Sequence, residues 1–143
     1  MEKLLQIHNM TKIFGEGTIN EKTAISDLTL ELSDGDFVTV IGNNGAGKST
    51  LLNAIAGVFP VDRGNIILDG NDITKLPEYK RARYMGRVFQ DPLKGTAFDM
   101  TIEENLAIAA AKNKPRGLQP GITKADRQAF RERLAVLGMR LED

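Results

Sequence analysis

Residues 37 to 57 read FVTVIGNNGAGKSTLLNAIAG, an apolar run, then a loop with three glycines, then Leu51, Leu52, Ile55 and Ala56 at helical spacing. Few folds accommodate that order. A near-continuous apolar run such as FVTVIG predicts a strand buried on both faces, the type found in a central parallel sheet. The helix predicted over Lys48 to Ala56 closes at Gly57, the usual residue for a left-handed stop. Strand, glycine loop and helix in succession predict an α/β core.

The loop between the two elements carries the chemistry. Gly42, Gly47, Lys48 and Ser49 satisfy G-x-x-x-x-G-K-[ST] without a mismatch. Glycines let the backbone turn so that successive N–H groups and the following helix N-terminus face an anion. Lys48 adds a full positive charge for β/γ-phosphates, and the Ser49 hydroxyl can enter the shell of a Mg²⁺ ion. The predicted cradle is Gly42, Asn43, Asn44, Gly45, Ala46, Gly47, Lys48, Ser49 and Thr50. A glycine-rich turn with a chance Lys-Ser after it is the alternative, and the strand before and helix after weigh against it. A phosphate loop alone does not choose between ATPase, GTPase and small-molecule kinase.

Upstream, KLLQIHNMTKIF (residues 3–14) and AISDLTLEL (24–32) read as strands, separated by the turn GEGTIN and followed by the turn SDGD. The chain therefore starts as an antiparallel hairpin, with Ile25, Leu28, Leu30 and Leu32 on one face. GNIILDGND predicts a short strand running into a turn, and LPEYKRARY a short helix with Pro77 near its start. MGRVFQ predicts a further strand that stops at Asp91-Pro92. Thr101 and Glu104 form a capping box ahead of NLAIAAAK. NKPRGLQPG is a loop, and Thr123 to Leu137 an amphipathic helix with Phe130, Leu134 and Leu137 in one stripe, stopped by Gly138.

At 143 residues the length suits one domain. Lys+Arg and Asp+Glu both number 19, so no basic face is implied and a dedicated nucleic-acid binder is disfavoured. With no cysteine, disulfides, thiolate metal sites and a cysteine nucleophile are excluded, which suits a reducing compartment. No window approaches the roughly 20 apolar residues that span a bilayer. His8, the only histidine, has no partner for a metal site and reads as a partly exposed strand residue. The KRARY cluster reads as a solvated helix face rather than a phosphate or lipid contact.

GNNGAGKSTLLNAIAG resembles the Walker A segment of ATP-binding-cassette (ABC) ATPases, and MTKIFGEG, DRGNIILDGNDI, and RVFQDP followed by MTIEENLAIA agree with that family in order and spacing. The resemblance covers nearly the whole chain. It implies a P-loop NTPase core, RecA-like and partial, which with an N-terminal antiparallel β subdomain fills about residues 1–100 up to the Q-loop, followed by the start of an α-helical subdomain over about 101–143. Phe14 then matches the aromatic that stacks on adenine, and stacking is favoured over the alternative of a core Phe at a strand end. Gln90 matches the Q-loop glutamine, which reaches the Mg²⁺ or the attacking water. With Lys48, it is the implied catalytic pair, and Ser49 and Gln90 are the implied metal ligands. IILDG mimics a Walker B strand, but the resemblance puts it in the antiparallel subdomain, and Gly70 follows where a catalytic Glu would stand; Asp69 reads as a turn residue.

The resemblance also sets partners and limits. It implies MgATP, a head-to-tail second copy, a transmembrane permease met by the loop from Asp91 to Met100, and an extracellular or periplasmic solute-binding protein reached indirectly. Phe98 and Met100 are the candidate permease contacts, with inward packing the alternative. The expected place is the cytoplasmic face of the cell membrane, in an importer; the stretch from Val88 to Ala109 looks like importers of amino-acid-like solutes. The family's signature, Walker B strand and switch histidine belong after Gly138, so this segment alone is expected to bind ATP without hydrolysing it, with buried sheet edges unpaired. A soluble ABC ATPase acting on ribosomes or DNA, a small P-loop kinase and a non-hydrolytic nucleotide-binding module are the competing readings.

Overall fold

The computed structural model describes residues 3–112 and 121–138, so most of the predicted NKPRGLQPG loop lies outside the described residues. One antiparallel sheet runs in the order β2-β1-β3-β4, with β1 Lys3–Phe14, β2 Lys22–Ser33, β3 Arg63–Leu68 and β4 Asn71–Asp72. The N-terminal hairpin forms as the sequence predicts. Its inward positions are Leu5 and Ile7, then Met10 and Lys12, a pattern that skips one residue at Asn9. Asn9 (φ 47°) and Asp27 (φ 51°) are matching bulges on the paired strands. The Asn9 side-chain amide donates to Asp27 Oδ1 at 2.8 Å, and the Asp27 N–H donates to Thr11 Oγ1 at 3.1 Å. The extra residue in each strand keeps both apolar sets on the same face, which a slip in one strand alone would reverse.

That face packs on α1, Lys48–Ala56, whose boundaries match the sequence reading. Leu5, Ile7, Met10, Ile66, Leu68 and Ile73 meet Leu51 and Ala54 in one core. Burial of each large aliphatic side chain there contributes about 1.5–3 kcal/mol, so the hairpin and α1 stabilise one another. Asp69 (φ 49°) and Gly70 (φ 70°) make the two-residue turn from β3 to β4, the geometry that matches strand twist in a tight hairpin. Because β3 pairs antiparallel with β1, Asp69 is a turn residue, in agreement with its exclusion as a metal ligand.

Two expected strands do not form. Residues 37–41 and 85–89 belong to no ladder, and Phe37 (92%), Ile41 (91%) and Val88 (97%) are almost fully exposed. A buried parallel strand requires a neighbour on each side to take its N–H and C=O groups. Among the described residues no strand pairs with either segment; the one sheet is antiparallel throughout and uses neither.

The chain divides into two compact units, Met1–Gly86 and Arg87–Asp143. The first unit ends with α2, Glu78–Arg81, entered at Pro77. The second holds a 3₁₀ turn, Pro92–Lys94, and two helices, α3 Ile102–Ala110 and α4 Lys124–Ala135. Both helices start with complete capping boxes: Thr101 with Glu104, and Thr123 with Asp126. Phe130 is the buried member of the stripe expected on α4, whereas Leu137 is half exposed. No helix among the described residues is long and apolar enough to cross a membrane.

Candidate functional site

The site is built on the N-terminal end of α1. Its cap residue is Gly47 (φ 86°, ψ 0°), which supplies no side-chain acceptor, and the first turn contains no acidic residue. A helix start leaves backbone N–H groups without intrahelical partners, and the dipole there favours negative charge. Gly47 is required twice over: its φ lies in the left-handed region, and a Cβ would stand 2.7 Å from the Ala24 carbonyl oxygen of β2. Gly45 (φ 85°) makes the second left-handed step of the loop, and the Ala46 N–H donates to the Asn43 carbonyl at 3.1 Å. The loop from Gly42 to Ala46 is exposed.

Lys48 folds back over this loop. Its ammonium donates to the Gly42 carbonyl at 2.5 Å and to the Asn43 carbonyl at 2.7 Å, which fixes the positive charge at the loop mouth. Ser49 is exposed in the first turn of α1, and Thr50 beside it is half-buried. The donor set fits Mg²⁺, an ion that keeps several waters and takes few protein oxygens, and no cluster of three or more His, Cys, Asp or Glu side chains able to hold a metal exists among the described residues. Ser49 is the residue in this loop that would hold it.

At the opposite end of α1, Gly57 (φ 83°) closes the helix and Arg81 completes it. The sequence placed Arg81 in a solvated cluster; the structure buries it to 1% exposure. One terminal nitrogen donates to the carbonyls of Ala54 (2.8 Å) and Ile55 (2.9 Å), Nε to Leu76 (2.7 Å), and the other terminal nitrogen to Thr74 (2.8 Å). A cation at a helix C-terminus is favoured by the dipole, and the planar fork suits several acceptors at once. Burial pushes the Arg81 pKa down, with Asp72 opposing. The acceptors lie up to 27 residues away, so no local pattern in KRARY announces this role. The neighbouring Tyr79 and Tyr84 remain exposed, as a solvated face requires.

Phe14, at the end of β1, is 40% exposed. Its ring meets Phe59 edge to face, with centroids 5.3 Å apart at 81°. The Lys12 ammonium lies 5.3 Å from the Phe14 centroid and 5.5 Å from that of Phe59, and bonds to Asp62 at 3.1 Å. Asp62 also accepts from the Ile13 N–H at 2.6 Å. Partial burial pushes the Asp62 carboxyl pKa up, but the bonds from Ile13 and Lys12 outweigh it and hold the pKa below the usual value. The sequence reading missed Lys12, Phe59 and Asp62, since the pairing spans 50 residues. Strand β2 connects this corner to the loop: Lys22 pairs with Phe14 and Ile25 with Lys12, and Ala24 between them backs Gly47.

Gln90 belongs to the second unit, exposed in the bend before the 3₁₀ turn. Downstream, Asn105 ties the loop to α3: its side chain accepts from the Ala97 N–H at 2.8 Å and donates to the carbonyls of Ala97 (3.0 Å), Met100 (3.3 Å) and Thr101 (3.0 Å). The exposed Phe98 and Met100 line an open apolar groove of about 490 Å³ with Ile102, Leu106 and Ala109. They do not pack inward. Nothing in the sequence reading singled out Asn105, whose side chain sets the shape of that loop.

A glycine loop, a lysine folded over it and an uncapped helix start define a P-loop nucleoside-triphosphate protein. The ABC transporter family model matches residues 25–141. A tyrosine transport ATP-binding protein of Clostridioides difficile is 47% identical over 111 residues, covering 78% of this chain and 44% of the relative. The spermidine/putrescine import ATP-binding protein PotA of Aggregatibacter actinomycetemcomitans is 38% identical over 123 residues, covering 81% and 31%. Among solved structures, a nucleotide-free ATP-binding cassette from an ABC transporter superposes with a TM-score of 0.71 at 28% identity, covering 99% of this chain and 58% of that one. A dimeric post-hydrolysis cassette bound to ADP and phosphate gives 0.75 at 25% identity, covering 95% and 58%. The chain belongs to the ABC transporter family, as an ATP-binding cassette. It spans less than half the length of these curated relatives.

Proposed function

We propose that this chain is the nucleotide-binding front part of the ATP-binding subunit of an importer, and that the whole protein hydrolyses MgATP to drive solute uptake. The observation that carries this reading is the uncapped start of α1 with Lys48 bonded across the loop to Gly42 and Asn43. The amides of Gly45 to Thr50 bind phosphate oxygens, Lys48 takes the β/γ-phosphate charge, and the exposed ring of Phe14 stacks on the base. Ser49 would hold a Mg²⁺ ion at the loop, Gln90 being the second ligand that the resemblance implies, and the ion would supply neutralisation of phosphate charge. Gln90 orients the attacking water. Residues that the resemblance places after Gly138 supply the remaining hydrolytic groups.

The names of the relatives, a tyrosine transporter subunit and a polyamine importer subunit, support import and a small charged or zwitterionic solute. The dimeric cassette among the structural neighbours supports a working pair of copies. The groove formed with Phe98 and Met100 supports the loop from Asp91 to Met100 as the permease contact, and through the permease an extracellular or periplasmic solute-binding protein. The cytoplasmic face of the cell membrane is the place this assignment requires. Competition between closed and open dimers then follows nucleotide state, since only the closed pair contacts the γ-phosphate on both sides.

The test is MgATP binding by the whole protein and its Lys48→Ala variant. Loss of a charge-assisted contact of about 1.5–3 kcal/mol predicts roughly 10- to 100-fold weaker binding without unfolding. Unchanged affinity in a folded variant would overturn the assignment.

A further inference from the structure

Four side chains from two separated stretches meet at the end of β1: Lys12 and Phe14 on the strand, and Phe59 and Asp62 in the segment between α1 and β3. Lys12 is only 7% exposed, an unusual position for an ammonium unless it is paired. Its partners are Asp62 and the two rings, so the charge is offset by one carboxylate and two π-faces. Asp62 is itself fixed, accepting from the Ile13 N–H at 2.6 Å while its own N–H donates to the Thr11 carbonyl at 3.0 Å. The segment from Phe59 to Asp62 is thereby clipped to the last residues of β1.

Phe14 gains a defined position from this arrangement. Lys12 stands over its ring, Phe59 meets it at a right-angled edge contact, and two-fifths of the residue remains open to solvent. An exposed aromatic at a strand end otherwise samples several rotamers, and fixing it at the moment of binding costs affinity. Phe59 follows the C-terminal stop of α1 by two residues, so the ring is tied to the same helix whose first turn forms the phosphate loop.

We infer that Phe59 and Lys12 are positioning residues for Phe14, holding its ring ready for an aromatic base and so setting how much of the affinity comes from the base rather than the phosphates. The inference rests on the stacking reading of Phe14 given above. A purine nucleotide is the ligand class that gains; a bare polyphosphate, which lacks a ring to stack, gains nothing.

The experiment titrates the whole protein with MgATP and with magnesium tripolyphosphate, in Phe14→Ala, Phe59→Leu and Lys12→Met variants whose folding is checked by circular dichroism. Edge-to-face and cation–π contacts of ordinary strength predict MgATP binding weakened about fivefold in Phe59→Leu and Lys12→Met, with tripolyphosphate binding unchanged. If Phe14→Ala selectively weakens MgATP while the other two variants bind it normally, the positioning role is overturned and the stacking role stands. If Phe14→Ala binds MgATP normally, the stacking role itself fails, and the inference with it. Equal weakening toward both ligands in Phe59→Leu and Lys12→Met would mean a general structural role and would also overturn the inference.

Discussion

At the C-terminal end of α1 the carbonyls of Ala54 and Ile55 accept from the buried Arg81 guanidinium, while at the N-terminal end Gly47 presents no side-chain oxygen and the first turn has no acid. The helix is nine residues long, so both ends belong to one short element under the same need for satisfied backbone groups. One end is closed by a side chain of the protein, and the other carries no side-chain cap. Helices α3 and α4 make the contrast sharper, since each begins with a threonine and an acid three residues later, bonded reciprocally. A helix start meant only to be stable is capped from within; the start of α1 keeps its donors available to an anion.

The largest effect that would sharpen this comparison is expected from Arg81→Met. It removes the guanidinium from four carbonyl oxygens, of which the Ala54 oxygen keeps the Gly57 N–H, and a loss of about 3 kcal/mol in unfolding free energy should appear in chemical denaturation. The folded fraction should still bind MgATP, because the donors at the other end are untouched; wild-type stability would show that the C-terminal closure is not needed. Thr101→Ala, which removes one capping box from α3, should cost about 1 kcal/mol in the same assay and leave nucleotide affinity unchanged. A larger change in affinity than in stability would blur the distinction between the two kinds of helix start.

The smallest effect is a pH dependence confined to the capped start. Hydrogen bonds from the Thr101 N–H and then its hydroxyl hold the Glu104 carboxyl below its ordinary pKa of 4.5. A depressed folded-state pKa means that the unfolded chain takes up the proton first, so this contribution is fully present above pH 4.5 and declines as pH falls through the lower folded value. Glu104→Gln should flatten that part of the acid limb of a stability profile. An unaltered slope would show that the capping box contributes no proton linkage.

Local rules made much of this legible. Strand β1 and helix α1 were readable to the residue from alternation, helical spacing and the glycine stop, the Thr101–Glu104 pair fixed the start of α3, and the apolar stripe placed α4, whose own Thr123–Asp126 box the sequence reading did not name. The Asp69-Gly70 pair named its own turn. What escaped depended on contacts remote in sequence. Arg81 looked like one of several solvated cations because two of its acceptors, Ala54 and Ile55, sit on another helix, and Lys12 drew no reading because its partners Asp62 and Phe59 lie about 50 residues on. The apolar stretches at 37–41 and 85–89 carry the composition of buried strands, yet strand structure is a property of a pair, and no adjacent ladder exists among the described residues. For the site, the motif disclosed the loop and its lysine; the setting of Phe14 required the fold.

The most direct measurement is amide hydrogen exchange of the whole protein with and without MgATP, read at the amides of Gly45 to Thr50 and at those opening α3 and α4. Ligand-dependent protection concentrated in the α1 start, with the two capped starts unchanged, is the result predicted here. Tight MgATP binding without added protection at Gly45 to Thr50 would contradict the claim that this helix end was left open for phosphate.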